Sequence, residues 1–135
     1  MGVLTVYLDK ISNLRDGDGI GNKSDPYVKF HLEQDNLLFD KNFGKQTSTK
    51  KENEENPEFG ETFTFEDVPS VENLVLHVKV MDDDYGIDDK LGACKINLEK
   101  AGLSGEPTEI EKDVDKNGGW ISKNAKIYLK ISFTE

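Results

Sequence analysis

Apolar and polar residues alternate along several short segments of the chain, which is the pattern of half-buried β-strands. Gly, Asp, Asn and Pro residues separate these segments, as turns between strands do. We predict strands at 3–8, 27–32, 62–65, 74–80, 91–98 and 125–133, with a further strand near 45–50. One short helical turn is predicted near 97–103. About seven or eight short strands with hardly any helical periodicity predict an all-β protein, an antiparallel β-sandwich.

The length of the chain fits one compact domain. A chain of 135 residues buries roughly two-thirds of its unfolded surface, so its core needs no disulfide or metal to stand. Cys94 is the only cysteine, which agrees with a reducing compartment. The sequence shows no transmembrane run, signal peptide or lipidation motif. We therefore expect a single domain over residues 1–135, a soluble cytoplasmic monomer whose membrane contacts are non-covalent.

Acidic residues outnumber basic residues by 27 to 17, which gives a net charge of −10. This balance argues against nucleic acid as a partner, because affinity for a phosphate backbone comes from clustered Lys and Arg. Eight aspartates lie in two short stretches: Asp16, Asp18, Asp25, Asp82, Asp83, Asp84, Asp88 and Asp89. Both stretches contain glycine and lie between predicted strands, so we interpret them as loops.

If these two loops meet at one end of the sandwich, their carboxylates repel one another at neutral pH. The fold must then protonate the carboxylates, separate them or bind a cation. The stretches contain no His or Cys that would favour zinc, and numerous flexible oxygen ligands favour Ca²⁺ over Mg²⁺. The residue types thus favour a calcium site, with simple solvated loops as the alternative.

Four segments, in order, closely resemble the C2 domain family. They are Leu14-x3-Asp18; Ser24-Asp25-Pro26-Tyr27-Val28-Lys29; Asn56-Pro57-x-Phe59-x-Glu61-Thr62-Phe63-Thr64-Phe65; and Val80-x-Asp82-x-Asp84-x4-Asp89-x-Leu91-Gly92. The resemblance extends from about Gly2 to Phe133. It implies an eight-stranded antiparallel sandwich whose loops at one end bind two or three Ca²⁺ ions and then dock on phospholipid headgroups. The first and last strands resemble the circularly shifted arrangement called type II topology.

By this resemblance, the five acidic ligands of the family fall on five aspartates of the two loops: Asp18, Asp25, Asp82, Asp84 and Asp89. The likeness, together with positions beside strand ends, gives Asp25 and Asp82 a bidentate bridging role. The first loop is one residue longer than the family pattern, and the later loop is one residue shorter. These departures make Asp16 and Asp88 substitute or extra ligands, or else solvated turn carboxylates.

Apolar side chains at the tips of both loops indicate contact with a membrane interface: Ile20, Tyr85 and Ile87. Ordinary loop packing is the alternative. We predict that the protein binds anionic phospholipid membranes in a Ca²⁺-dependent manner and is recruited to them reversibly when Ca²⁺ rises. Two other functions stay open, namely a protein-interaction module with structural Ca²⁺ and a small cytosolic Ca²⁺ buffer.

Four lysines resemble those on the lysine-bearing strands with which some C2 domains hold phosphoinositides: Lys29, Lys45, Lys50 and Lys51. Glu52, Glu54 and Glu55 follow directly and oppose an anionic ligand. Solvated lysines are the alternative.

Other patterns indicate no further chemistry. The segment 113–118, Asp-x-Asp-x-Asn-Gly, resembles the start of an EF-hand loop. Its twelfth position is Asn124 and a strand follows, so we interpret the segment as a polar turn. His31 and His77 lie within predicted strands without a Ser or Cys nucleophile motif, so we expect no enzyme activity.

Overall fold

The computed structural model describes residues 1–14, 25–52, 55–83, 88–115 and 125–135. Eight strands lie within these ranges: β1 (Gly2–Ser12), β2 (Pro26–Gln34), β3 (Lys41–Thr47), β4 (Glu58–Val68), β5 (Leu74–Asp82), β6 (Asp89–Asn97), β7 (Thr108–Asp113) and β8 (Lys126–Thr134). The first sheet has the strand order β4-β1-β8-β7, and the second sheet has the order β3-β2-β5-β6. All pairings are antiparallel. The predicted eight-stranded antiparallel sandwich is therefore confirmed, while type II topology stays a prediction.

The core lies between the two sheets and is built from alternate residues of the central strands. In β1, Leu4, Val6 and Leu8 are fully buried, whereas the residues between them are partly exposed. Phe30 of β2 packs against Phe63 of β4, with ring centroids 5.1 Å apart and planes tilted by 52°. Burying one such apolar side chain contributes about 1.5 to 3 kcal/mol. A slip by one residue would expose a whole row of them, so this burial fixes the strand register.

β1, β3, β5 and β7 end, and β2, β4, β6 and β8 begin, at one end of the sandwich. We call this the acidic end. Backbone hydrogen bonds join the β1–β2 and β3–β4 connections and their strands. The N–H of Leu14 donates to the carbonyl oxygen of Glu55 at 2.8 Å, and that of Lys51 donates to Pro26 at 2.9 Å. These bonds extend the β1–β4 pairing of the first sheet and the β2–β3 pairing of the second sheet beyond the strands at this end.

The middle of β6 is held by a close contact with the segment that follows β7. Ala93 and Asp115 exchange two backbone hydrogen bonds of 2.9 and 3.0 Å. A Cβ atom at Gly92 would lie 2.5 Å from Cγ1 of Val114, so this close approach requires glycine. The contact ties β6 of the second sheet to the segment that follows β7 of the first sheet.

Two strands differ from the sequence prediction. β3 begins and ends earlier than the predicted strand at 45–50, and the apolar segment 37–39 is exposed in the connection before it. β7 has no counterpart among the predicted strands, because half-buried Ile110 is its only apolar residue. The segment near 97–103, predicted as a helical turn, forms turns at 98–102 and no helix. Within the part of the chain that the structure describes, no helix is long and apolar enough to cross a membrane.

Candidate metal centre

Asp25 directly precedes β2, Asp82 is the last residue of β5, and one hydrogen bond joins the two at the acidic end. The backbone N–H of Asp25 donates to Oδ1 of Asp82 at 2.8 Å, and the backbone N–H of Asp83 donates to the carbonyl oxygen of Asp25 at 3.0 Å. Pro26 pairs with Asp82 in the register of β2 and β5 and has no N–H to donate. The carboxylate of Asp82 therefore accepts the N–H of Asp25, the residue before the proline. This bond holds the two aspartates together.

Asp89 extends this row of acidic strand ends. It is the first residue of β6 and pairs in register with Asp82, the last residue of β5. A register shift after Val80 places one extra residue in β6, and the resulting bulge brings Asp89 opposite Asp82. Asp25, Asp82 and Asp89 consequently lie at the ends of three adjacent strands.

Tyr27 positions a further aspartate beside these strand ends. Its hydroxyl group donates a hydrogen bond to a carboxylate oxygen of Asp88. The Tyr27 side chain is buried, whereas Asp88 is exposed. Burial, followed by the hydrogen bond to Asp88 and the negative charges of Asp88 and Asp83, raises the pKa of Tyr27 to about 12. At neutral pH the hydroxyl group is therefore protonated and can donate to Asp88.

Lys50 places a positive charge beside this acidic edge. Its Nζ lies 3.2 Å from Oδ1 of Asp83 and 5.4 Å from the centroid of the Tyr27 ring. The chain before Lys50 is fixed by Ser48, whose Oγ accepts the N–H of Val28 at 2.8 Å. Both members of the ion pair are partly exposed, so the pair contributes only about 0 to 1 kcal/mol to stability. Its main effect is to direct the Asp83 carboxylate toward the β3–β4 connection.

Four of the seven predicted metal ligands lie within the described residues: Asp25, Asp82, Asp88 and Asp89. The other three lie outside them: Asp16, Asp18 and Asp84. The predicted membrane contacts also lie outside the described residues: Ile20, Tyr85 and Ile87. Sequence reasoning missed the role of Tyr27, because nothing in the sequence pairs it with Asp88 until the register of the second sheet is known.

The donor set at this edge fits a hard divalent cation. The predicted ligands are all carboxylates, the ligand type that Ca²⁺ and Mg²⁺ prefer. A carboxylate offers about four lone-pair positions, so Asp82 can accept the N–H of Asp25 and still bind a metal ion. Several carboxylates on separate strand ends can supply the flexible coordination by about six to eight oxygens that is typical of Ca²⁺.

The outer face of the second sheet carries a basic groove of about 440 Å³. Lys29, Lys45 and Lys79 line it. Two of the lysines that the sequence resemblance singled out, Lys29 and Lys45, thus share one groove. The other two, Lys50 and Lys51, lie in the connection between β3 and β4. The sheet face and the acidic end therefore present opposite charges.

Replacing Tyr27 with phenylalanine is expected to lower the free energy of unfolding by about 0.5 to 1.5 kcal/mol. The change removes the hydrogen bond to Asp88 and preserves the ring packing. Urea unfolding followed by circular dichroism measures the effect. Tyr128→Phe is the matched control, because within the described residues the Tyr128 hydroxyl makes no hydrogen bond. Equal stability losses in the two variants would contradict the structural role of the Tyr27 hydroxyl group.

Comparisons with known proteins agree with this fold. A C2 domain of a plant extended synaptotagmin 1 superposes with a TM-score of 0.79 at 25% identity, and the match covers 99% of this chain and 97% of that chain. Synaptotagmin-3 of Rattus norvegicus is 40% identical over 102 residues, which are 74% of this chain and 16% of that protein. Synaptotagmin-1 of Homo sapiens is 36% identical over 104 residues, which are 75% of this chain and 23% of that protein.

The chain thus spans less than a quarter of the length of these two synaptotagmins. The sequence model of the C2 domain family matches residues 2–114, a longer part of this chain than either synaptotagmin matches. The chain therefore belongs to the C2 domain family.

Proposed function

We propose that this chain binds Ca²⁺ at the acidic end of the sandwich and thereby attaches to anionic phospholipid membranes. The observation that carries the proposal is the pair of hydrogen bonds that joins Asp25 to Asp83 and to Asp82, which is 57 residues away in sequence. These bonds hold carboxylate-bearing residues together despite their mutual repulsion, which a bound cation would relieve. Membership of the C2 family supports the same function.

In this proposal, two or three Ca²⁺ ions are held by five aspartates: Asp18, Asp25, Asp82, Asp84 and Asp89. Asp16 and Asp88 serve as additional ligands. Bound Ca²⁺ cancels the negative charge of the acidic end and offers coordination positions to the oxygens of lipid phosphate or carboxylate groups. Asp25 and Asp82 would bridge the ions, because they lie beside ordered strands and the hydrogen bond from the N–H of Asp25 to Oδ1 of Asp82 holds them together.

The protein's own residues then determine the membrane contact. Without a cation, the acidic end is repelled by the negative surface of a cytoplasmic leaflet. Once this repulsion is removed, Ile20, Tyr85 and Ile87 enter the membrane interface from the loop tips. Lys29 and Lys45, which share the basic groove, provide a second contact for anionic headgroups.

We also propose that residues 1–135 act as a single, monomeric binding module without enzyme activity. The net charge of −10 disfavours self-association, because like-charged copies repel one another. The module resides in the cytoplasm and moves to membranes reversibly when the Ca²⁺ concentration rises. Membrane attachment is then controlled by the occupancy of the acidic end.

Co-sedimentation with liposomes tests this function. The chain is mixed with phosphatidylcholine vesicles that contain or lack phosphatidylserine, in the presence of Ca²⁺ or of a chelator. We expect the protein to pellet only when phosphatidylserine and Ca²⁺ are both present. Pelleting that is independent of Ca²⁺ would contradict the calcium requirement. Tight Ca²⁺ binding without pelleting would instead favour a protein-interaction module or a Ca²⁺ buffer.

A further inference from the structure

The edge strand β7 has a neighbour on one side only. Within the part of the chain that the structure describes, β7 pairs with β8 and ends the first sheet. Every second residue of an edge strand directs its backbone N–H and carbonyl groups away from the neighbouring strand. All residues of β7 are exposed or only partly buried, so these groups can be reached from outside. The open side of β7 can therefore accept an added strand.

A groove of about 440 Å³ runs along this open side. Its lining comes from β7, from the end of β6 and from the turn that follows β6. The apolar part of the lining consists of Ile96, Ala101 and Ile110. Lys112 also lines the groove, so the apolar part lies toward the start of β7. A strand added to β7 would place an apolar side chain in this gap between the edges of the two sheets.

Charges on the outer face of the first sheet change sign from β8 to β7. Glu109 of β7 pairs in register with Lys130 of β8, and Asp113 pairs with Lys126. Nζ of Lys126 also lies 3.4 Å from Oε1 of Glu111. A basic row on β8 is thus followed by an exposed acidic row on β7. Opposite charges on directly paired residues stabilise a sheet, so basic residues at alternate positions of an added strand would continue this order.

The other edge strands of the described fold fit such a peptide less well. The edge of β4 is partly covered, because Nε2 of Gln46 donates a hydrogen bond to the carbonyl oxygen of Thr64. β3 contains two lysines and no acidic residue. β6 contains two lysines and one acid, Asp89, at its first position. Among these edges, β7 alone combines an open side with a row of acids.

A second copy of the chain does not suit the same edge. Antiparallel pairing of two β7 strands would set the acidic row of one copy against the acidic row of the other. Like charges directly opposite each other destabilise a sheet. The net charge of −10 adds repulsion between whole molecules. The charge pattern therefore favours a basic peptide over self-association.

We propose that β7 binds an extended peptide segment of another protein by strand addition, and that this segment alternates basic and apolar residues. The backbone of β7 supplies main-chain hydrogen bonds. Glu109 and Glu111 select basic side chains on the outer face, and the groove beside Ile110 accepts apolar side chains on the other face. None of these three residues is a proposed calcium ligand, so the edge can bind a peptide while the acidic end is attached to a membrane.

A nuclear magnetic resonance titration with a synthetic peptide tests this surface. The probe is the capped heptapeptide KVKVKVK, and the control is the capped peptide KKKKVVV, which has the same charge and composition. Each is added to the ¹⁵N-labelled chain in millimolar Ca²⁺. We expect KVKVKVK to shift the amide resonances of residues 108–113 and to slow hydrogen exchange at alternate amides of β7. KKKKVVV should do neither, because it cannot place basic and apolar side chains on opposite faces of a strand.

Two double variants separate the acidic row from other acids of the same sheet. Glu109→Gln combined with Glu111→Gln is expected to weaken KVKVKVK binding roughly 10-fold through loss of two opposite-charge pairs. Glu58→Gln combined with Glu66→Gln is the matched control, because it removes two exposed charges from β4. This control should bind the peptide as the parent does. Circular dichroism checks that both variants are folded.

The comparison of the two peptides on the parent chain needs no substitution. Absence of shifts in β7, equal effects of KVKVKVK and KKKKVVV, or shifts in β4 instead of β7 would each overturn the proposal. Sedimentation velocity should show a monomer. A dimer that Glu109→Gln with Glu111→Gln strengthens would make a second copy the occupant of this edge and would also overturn it.

Liposome pelleting keeps this test separate from the proposed function. The variant with Glu109→Gln and Glu111→Gln should pellet with Ca²⁺ as the parent does. Failure of peptide binding with normal pelleting would overturn the peptide site and leave the membrane function intact. Loss of pelleting in this variant would contradict the independence of the two surfaces.

Discussion

Replacing Asp25 or Asp82 with asparagine is expected to abolish most Ca²⁺-dependent membrane binding. Each change preserves the size of the side chain but removes one negative charge from a site that neutralises a dication. A unit charge about 2.4 Å from a dication contributes roughly 3 kcal/mol even at the dielectric constant of water. This corresponds to a loss of about 100-fold in Ca²⁺ affinity. A Ca²⁺ titration of liposome binding measures the loss as a rise in the half-maximal Ca²⁺ concentration.

The fold without metal should survive these substitutions. The amide oxygen introduced by Asp82→Asn can still accept the N–H of Asp25, which donates to Asp82 at 2.8 Å in the parent. Removal of one charge also relieves repulsion, so the melting temperature in chelator should be unchanged or slightly higher. Asp113→Asn is the matched control and should leave Ca²⁺-dependent binding unchanged, because Asp113 is the last residue of β7, where its carboxylate lies 3.8 Å from Nζ of Lys126, and it is not among the proposed ligands. Parent-like binding of Ca²⁺ and liposomes by both Asp25→Asn and Asp82→Asn would show that the mechanism is wrong.

The same titration distinguishes ligands from neighbouring acids. Three further substitutions are expected to act like Asp25→Asn: Asp18→Asn, Asp84→Asn and Asp89→Asn. Asp83→Asn should be tolerated, because the Asp83 carboxylate pairs with Lys50 at 3.2 Å. Greater sensitivity at Asp16 or Asp88 than at the five proposed ligands would mean that the altered loop lengths have shifted the ligand set by a residue or two.

Ca²⁺ is expected to raise the melting temperature of the parent by about 6 to 15 °C. The native sandwich holds the acidic strand ends together, whereas the unfolded chain does not, so the cation stabilises the native state by mass action. At a free concentration about 100 times the dissociation constant, one site contributes about 2.7 kcal/mol. For a domain of this size, that free energy corresponds to the expected shift.

Differential scanning calorimetry in millimolar Ca²⁺ and in chelator measures this shift. Asp82→Asn provides the control, because it should lose most of the Ca²⁺-dependent shift and retain the melting temperature measured in chelator. Identical melting temperatures of the parent in Ca²⁺ and in chelator would contradict the assignment of the acidic end as a calcium site.

The fold could be predicted where strands bury one face. From Gly2 to Leu8 in β1 and from Leu74 to Val80 in β5, buried residues alternate with more exposed ones because one side of each strand packs into the core, and that alternation is visible in the sequence. β7 could not be predicted, since it is an edge strand with Ile110 as its only apolar residue. β3 could not be located from the sequence for the same reason: it is an edge strand and none of its residues is buried, so it shows no alternation. The apolar segment 37–39 before it is exposed.

The candidate site could be predicted only in part. Clustered aspartates and their spacing are visible in the sequence, because ligand types and loop positions are local properties. The contacts between residues distant in sequence are not local. Asp25 reaches Asp82, Tyr27 reaches Asp88 and His31 stacks on His77 only because the second sheet aligns β2 with β5 in one register. Interactions of this kind require the register, which depends on the packing of the whole sandwich.

Calcium binding at the acidic end can be tested most directly by nuclear magnetic resonance. A Ca²⁺ titration of the ¹⁵N-labelled chain reports on the backbone amide of each residue. We expect the largest shifts at Asp25, Asp82 and Asp89, with little change at Asp113. Unchanged resonances at Asp25, Asp82 and Asp89 in millimolar Ca²⁺ would contradict the assignment of the acidic end as the calcium site.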